Sequence, residues 1–217
     1  MHDRDADAGV VPLEEALIVN DPAYRRRLML SMLTEEPDAY LAQLQAAKLN
    51  DDVEVAHYAA TAVAQISKES DLKLQQLERA FKTDPSAQNL NEYCDFLGEY
   101  LGSGLAEGRV AQIQRQQYAR LLARRCERED TLELRIRYAT ALADVGQIDE
   151  SQAVTNQLVL DVPEEQEVWM LCLRLAVMRR DGDEVHRVID AIDKQHVYLS
   201  ADNREKLAFW RDGEEAR

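Results

Sequence analysis

Glycine and proline are scarce in this chain, eight and five among 217 residues. So few breakers over that length favour long helices joined by short connections. Alternating Val, Ile and Thr runs, the mark of half-buried strands, are nearly absent as well. Cys94, Cys126 and Cys172 stand far apart with no paired spacing. That excludes a disulfide framework and a Cys-based zinc motif, and fits small apolar residues in helix cores of a reducing compartment. No apolar run approaches the roughly 20 residues of a membrane-spanning helix, and no signal peptide is visible. Basic residues are outnumbered, 26 Lys and Arg against 41 Asp and Glu, for a formal net charge of −15. So acidic a chain argues against nucleic acid as a general partner, since phosphate binding needs a basic face, and suits an anionic membrane poorly. The acidity serves solubility or points to a basic partner.

Signatures of catalysis are missing too. His2, His57, His186 and His196 are scattered, with neither H-E-x-x-H nor a short ligand pair. Ser31, Ser67, Ser86 and Ser103 lie outside any G-x-S-x-G elbow. The glycine-rich stretch GSGLAEG (102–108) has no GK[ST] after it and no strand before it. It reads as an extended helix–helix turn or as an exposed binding loop. Acid pairs such as Asp51-Asp52 and Glu164-Glu165 fall at helix starts. There each carboxylate opposes the helix dipole, worth about 0.3–1 kcal/mol, with no need for acid–base chemistry. Acidic positions are too dispersed for an EF-hand loop. The expectation is a protein that is not an enzyme and uses no cofactor or metal.

What the chain does have is helical periodicity. In 131–165, Leu134, Tyr138, Leu142 and Val145 recur at helical spacing, Gly146 breaks the pattern, and a second helix runs from about Asp149 to Leu160 before Pro163. This is a helix–turn–helix hairpin, which cannot bury its apolar face without neighbours. They are present. Asp21-Pro22 starts a helix to about Leu33, after a short apolar segment over 12–20. The next carries Tyr40, Leu41, Leu44 and Ala47. The helix over 51–66 buries Val55, Tyr58, Ala59, Ala62, Val63 and Ile66. Residues 67–71 either interrupt it or are read straight through to Leu74, Leu77 and Phe81.

Helix 89–101 presents Leu90, Tyr93, Cys94, Leu97, Tyr100 and Leu101 to the core. Helix 109–127 turns Val110, Ile113, Tyr118, Leu121 and Leu122 inward. Beyond the hairpin, Trp169, Leu173 and Ala176 mark a helix, Asp181-Gly182 the turn, and Val185, Val188, Ile189 and Ile192 its partner. Ser200 caps a last helix, 201–211, whose Leu207 and Trp210 pack back as a polar-faced cap. The domain expectation is a linker over 1–11, a single helical-repeat domain over 12–211 and a frayed tail over 212–217.

Charge is uneven along the chain. Residues 105–145 hold eight Arg and six acids, so they are +2 while the remainder is −17. Arg115, Arg120, Arg124, Arg125 and Arg128 form a basic strip, either a solvated helix face or a docking site for an acidic partner.

The hairpin and Trp169 resemble a tetratricopeptide (TPR) unit, over roughly residues 70–196, although Ser151 and Thr155 stand where that family has Ala and an aromatic residue. The N-terminal helices are as close to HEAT-like packing. The fold this implies is all-α, a right-handed α-solenoid of TPR-like hairpins with a HEAT-like N-terminal part and a capping C-terminal helix. The resemblance further implies a concave groove for a peptide or helix, faced by Asn89, Glu92, Arg135, Tyr138 and Arg174.

A narrower resemblance rests on PLEEALIVND (12–21), NDDVEVAHYAATAVAQI (50–66), EYLGSGLAEGR (99–109) and QRQQYARLL (114–122). Together these are similar to the cytosolic region of the PelE family, TPR-containing inner-membrane components of bacterial Pel exopolysaccharide assembly. That implies a non-catalytic scaffold at the cytoplasmic face of the inner membrane, as the cytosolic fragment of a membrane-anchored protein. Its partners would be the membrane-anchored receptor PelD and the glycosyltransferase PelF. The alternative is a soluble TPR adaptor or secretion chaperone that holds a partner peptide in the groove.

Overall fold

A computed structural model describes residues 40–212, although not the side chain of Asp212. The described residues form nine α-helices and no strand, so the architecture is all-α. The segments expected over 1–11, 12–20 and 21–33, and the tail beyond residue 212, lie outside the described residues. The described chain divides into two compact units, residues 40–84 with 102–105, and 85–101 with 106–212.

In the first unit α1 spans Leu41–Ala47 and α2 spans Val53–Thr83. Asp52 caps α2, its carboxylate accepting from the backbone N–H of Glu54 at 2.9 Å and of Val55 at 3.4 Å. The Asn50 side chain accepts in turn from the Asp52 N–H at 3.0 Å. The break expected at 50–52 is thus a relay of side-chain caps. No helix break follows at 67–71. That stretch holds no Gly or Pro, and the buried stripe of Val55, Ala59, Ala62 and Ile66 resumes at Leu74 and Phe81. Leu44 and Ala47 pack on Val55, Ala59, Ala62 and Ile66, with Leu105 against the same cluster. The Gln45 side chain donates to the Ser103 carbonyl at 3.2 Å, which ties 102–105 to this unit.

The second unit runs α3 (Ala87–Gly102), α4 (Gly108–Cys126), α5 (Leu132–Asp144), α6 (Ile148–Asp161), α7 (Gln166–Met178), α8 (Gly182–Lys194) and α9 (Ala201–Asp212). From α4 to α8 each helix packs on the next, and α5 also meets α7. The two hairpins α5–α6 and α7–α8 keep a 34-residue offset. Leu132 corresponds to Gln166 and Ile148 to Gly182 as first helical residues, and Thr131 to Glu165 as N-caps. Thr131 and Ser200 accept from the N–H three residues on, both at 3.3 Å, and Asp181 does so at 3.0 Å.

The helix ends repeat as well. After α5, the N–H of Gln147 reaches the Leu142 carbonyl and that of Gly146 reaches Ala143, with Gly146 at φ +78°. That is a Schellman ending, which needs a left-handed residue. The same pair of bonds closes α7 around Arg180 (φ 57°) and α8 around His196 (φ 54°). The turn after α7 is therefore set by Arg180 and not by Asp181-Gly182, which instead cap and open α8.

Two core clusters share α7. Val168, Leu171 and Leu175 pack with Ala139 and Ala143 of α5 and Leu158 of α6. Trp169, Cys172, Leu173 and Ala176 pack with α8, Leu199 and Leu207. The Trp169 indole N–H is satisfied by the Pro163 carbonyl at 2.7 Å. Ser151 and Thr155 are fully buried. The Ser151 hydroxyl donates to the Ala139 carbonyl at 2.7 Å, and Thr155 to that of Ser151 at 2.8 Å. Small hydroxyls with local acceptors let α6 sit close to α5 without an unsatisfied group.

One expectation for α4 is overturned. Val110 and Ile113 are each 56% exposed, whereas Ala111, Ala119, Leu121, Leu122 and Arg125 are buried. Leu121 and Leu122 are buried as expected, but towards the helix start the buried positions are the alanines Ala111 and Ala119, so the bulkier Val110 and Ile113 mark the wrong side.

A left-handed conformation costs an ordinary L-residue about 1–2 kcal/mol relative to glycine, less what glycine loses in backbone entropy. Arg180→Gly should therefore raise unfolding stability by about 0.5–1 kcal/mol in urea melts, and Gly146→Ala should lower it by a similar amount.

Candidate functional site

Three features of the second unit stand out: a polar cluster, an apolar groove and a smaller cavity. The polar cluster joins α3, α4 and α5. Asp95 accepts from Arg125 at 2.6 Å and from Arg137 at 3.1 Å. Arg137 also donates to the Tyr118 hydroxyl, from Nε at 3.1 Å and Nη2 at 2.9 Å, with its guanidinium 5.9 Å from the ring centre. Tyr118 fits because Gly98 has no side chain, since a Cβ there would lie 2.8 Å from the hydroxyl. Burial raises the Tyr118 phenol above its ordinary pKa, against the hydrogen bond from Arg137. Burial also raises the Cys94 thiol, although Arg125 beside it pulls the other way.

Arg125 is only 8% exposed and its Nε has no partner. It was expected on the basic strip, but it is a core residue. Desolvating a guanidinium is tolerable only beside a carboxylate, and Asp95 is placed 30 residues upstream to supply one. The cluster is a staple between α3, α4 and α5.

The apolar groove lies between α5, α7 and α9. Its volume is about 580 Å³, and Ile136, Met170, Val177, Met178 and Trp210 line it, with Arg174 and Lys206 at the edge. At about 100° per residue, these α7 positions fall on the arc left over by its two core faces. A smaller cavity of about 330 Å³ lies between α4, α5 and α6, and Arg120 and Tyr138 line it together.

The eight expected site residues do not converge on one surface. Arg174 edges the groove and pairs with Asp144 at 2.5 Å. Tyr138 and Arg120 meet in the smaller cavity. Arg135 is taken by Asp161 at 2.7 Å. Glu92 is exposed and accepts from Gln88 at 2.9 Å. Asn89 is half-buried in the first turn of α3, its N–H on the Ser86 hydroxyl at 3.4 Å. Arg115 and Arg124 are exposed on α4, and Arg128 donates to the Pro85 carbonyl at 3.2 Å. Sequence reasoning missed the groove's own lining. Met170, Val177 and Met178 at i, i+7 and i+8 were the available signal, obscured because apolar residues occupy every face of α7.

Among the described residues, no three His, Cys, Asp or Glu side chains converge as a metal site. No helix of the described residues is long and apolar enough to cross a membrane. The three cysteines are free, Cys94 and Cys172 buried and Cys126 half-buried. Burial, aided by Glu184, pushes the Cys172 thiol up to about 12. No protein-family model matches the chain, and no curated protein matches it.

Removing Asp95 leaves Arg125 buried without its counter-ion. Asp95→Ala should cost about 2 kcal/mol, less than a fully buried pair because Asp95 is half-exposed. Asp144→Ala, which breaks the exposed pair with Arg174, should cost only about 0–1 kcal/mol in the same urea melts. A second check uses Asp161, whose carboxyl is held below the ordinary range by hydrogen bonds from Arg135 and then Gln157. A depressed folded pKa stabilises above the unfolded value and loses that contribution as pH falls through the folded one. Arg135→Gln should raise the Asp161 pKa in a carboxyl NMR titration. The stability gap between the two proteins should close as pH drops below about 4.

Proposed function

We propose that this protein is a non-catalytic interaction scaffold, and that the groove between α5, α7 and α9 receives an apolar-faced helix or peptide from a partner protein. The groove carries the reading. It presents Ile136, Met170, Val177, Met178 and Trp210 along one opening, the kind of surface that takes an amphipathic helix. The 34-residue offset between the hairpins, the period of TPR units, supports an α-solenoid of TPR-like repeats with α9 as the terminal cap. In such an array the first helix of each hairpin faces the groove, as α5 and α7 do here.

The partner class follows from the resemblance drawn from the sequence. A scaffold of the PelE kind would sit at the cytoplasmic face of a bacterial inner membrane and hold exopolysaccharide-assembly components together, PelD or PelF among them. Association of the chain with the purified cytosolic regions of PelD and PelF, followed by calorimetry, tests this. Binding to one of them that weakens at least tenfold in Met170→Lys or Val177→Lys, with helicity unchanged by circular dichroism, is the expected result. No binding to either overturns the Pel assignment. Retained binding in both variants overturns the groove.

A further inference from the structure

The groove between α5, α7 and α9 is lined by apolar side chains and by three charged ones, Glu167, Arg174 and Lys206. Arg174 is held by Asp144 at 2.5 Å. The side chains of Glu167 and Lys206 have no ion-pair or hydrogen-bond partner among the described residues. Asp202 stands one turn before Lys206 on α9 without pairing with it, and lines a separate opening beside Phe209. The two unpaired charges of the groove lie at different points along it. The Gln166 side chain accepts from the Ser200 N–H at 2.8 Å and from the Asn203 side-chain amide at 3.1 Å, so α7 and α9 begin side by side. Glu167 falls in the first turn of α7 and Lys206 in the second turn of α9. At about 1.5 Å of rise per residue, the anion and the cation are about one helical turn apart along the groove.

We propose that the partner segment seated in this groove is an amphipathic helix of mixed charge, with a basic residue against Glu167 and an acidic residue against Lys206. The inference rests on the groove reading above and adds to it the partner's charge pattern and direction. Charge complementarity selects this occupant. A helix that covers Met170, Val177 and Trp210 takes water away from the charges at their edge. Without counter-charges both would be left partly desolvated and unpaired. An all-acidic helix meets Glu167 with like charge, and an all-basic one meets Lys206, so a partner of either single sign is disfavoured. Direction follows from the same pair. The starts of α7 and α9 together put two positive dipole ends at the Glu167 end of the groove. A partner helix running antiparallel to them sets its own C-terminal turn, the negative dipole end, against those starts. Its basic residue then lies in its last turn and its acidic residue one turn earlier, the order that an isolated helix also favours.

The test uses the full chain and capped hexadecapeptides with a stripe of leucines at helical spacing. The Glu–Lys peptide carries Glu beside the stripe and Lys one turn later, and its twins carry Glu–Glu, Lys–Lys or Gln–Gln at the same two positions. Calorimetry should rank the Glu–Lys peptide first, with the Gln–Gln twin about threefold weaker and the single-sign twins about tenfold weaker. Glu167→Lys should place the Glu–Glu twin above the Glu–Lys peptide, and Lys206→Glu should place the Lys–Lys twin above it. These exchanges compare the same peptides on different chains, so differences in peptide helicity cancel. On the chain labelled with ¹⁵N, a nitroxide at the N-terminus of the Glu–Lys peptide should broaden the Met178 amide more than the Glu167 amide. Equal binding of the Gln–Gln twin, an unchanged ranking in either variant, or stronger broadening at Glu167 would each overturn the proposal. Equal affinity for all four peptides, lost together in Met170→Lys, overturns the charge pattern and leaves the groove standing. Binding of none of them, or undiminished binding in Met170→Lys, overturns the groove and this inference with it.

Discussion

Helix α7 is buried on two sides, and the second unit depends on that double burial. Val168, Leu171 and Leu175 close the cluster with α5 and α6, while Trp169, Cys172, Leu173 and Ala176 close the one with α8 and α9. Each large apolar side chain removed from water contributes about 1.5–3 kcal/mol. No single hairpin could gather that area, since its outer face would remain in solvent. The two faces together span about 200° of the helix and leave an arc of about 160° uncovered. Met170, Arg174, Val177 and Met178 occupy it, so the packing that stabilises the unit also creates the groove.

Electrostatics works as a fastening on the same frame. Asp95 with Arg125, Asp144 with Arg174, and Asp149 with Arg179 are each separated by 30 residues. Such a separation joins different helices and not turns of one helix. Exposed pairs of this kind add little on their own. The exception is Arg125, where burial turns the pair into a requirement.

Much of the helical plan was legible from residue types. Asp52 and Ser200 mark helix starts, and each accepts the expected backbone N–H; Thr131 does the same unannounced. Gly146 marks the break between the two helices, and there it takes a left-handed conformation. Arg180 and His196 perform the same role invisibly, because the Schellman bonds can hold a non-glycine residue there at modest cost. Val110 and Ile113 misled for a related reason. An apolar side chain on a helix has no obligation to be buried, and the neighbouring small residues were the ones the packing used. The candidate site was less legible still. Tyr138 and Arg174 both sit on first helices, yet they open onto different cavities, since position along a helix says nothing of which neighbour covers each face.

Taken alone, the sequence determined the all-helical architecture, most helix starts and the scarcity of basic charge. These follow from local rules, from caps, breakers and the 3.6-residue period, which act within a turn or two of the chain. Tertiary structure decided which arginine is buried, which is paired and which lines a cavity. It also decided which arc of α7 stays open. Those outcomes depend on residues some 30 positions apart meeting across helices, and no local rule carries that information.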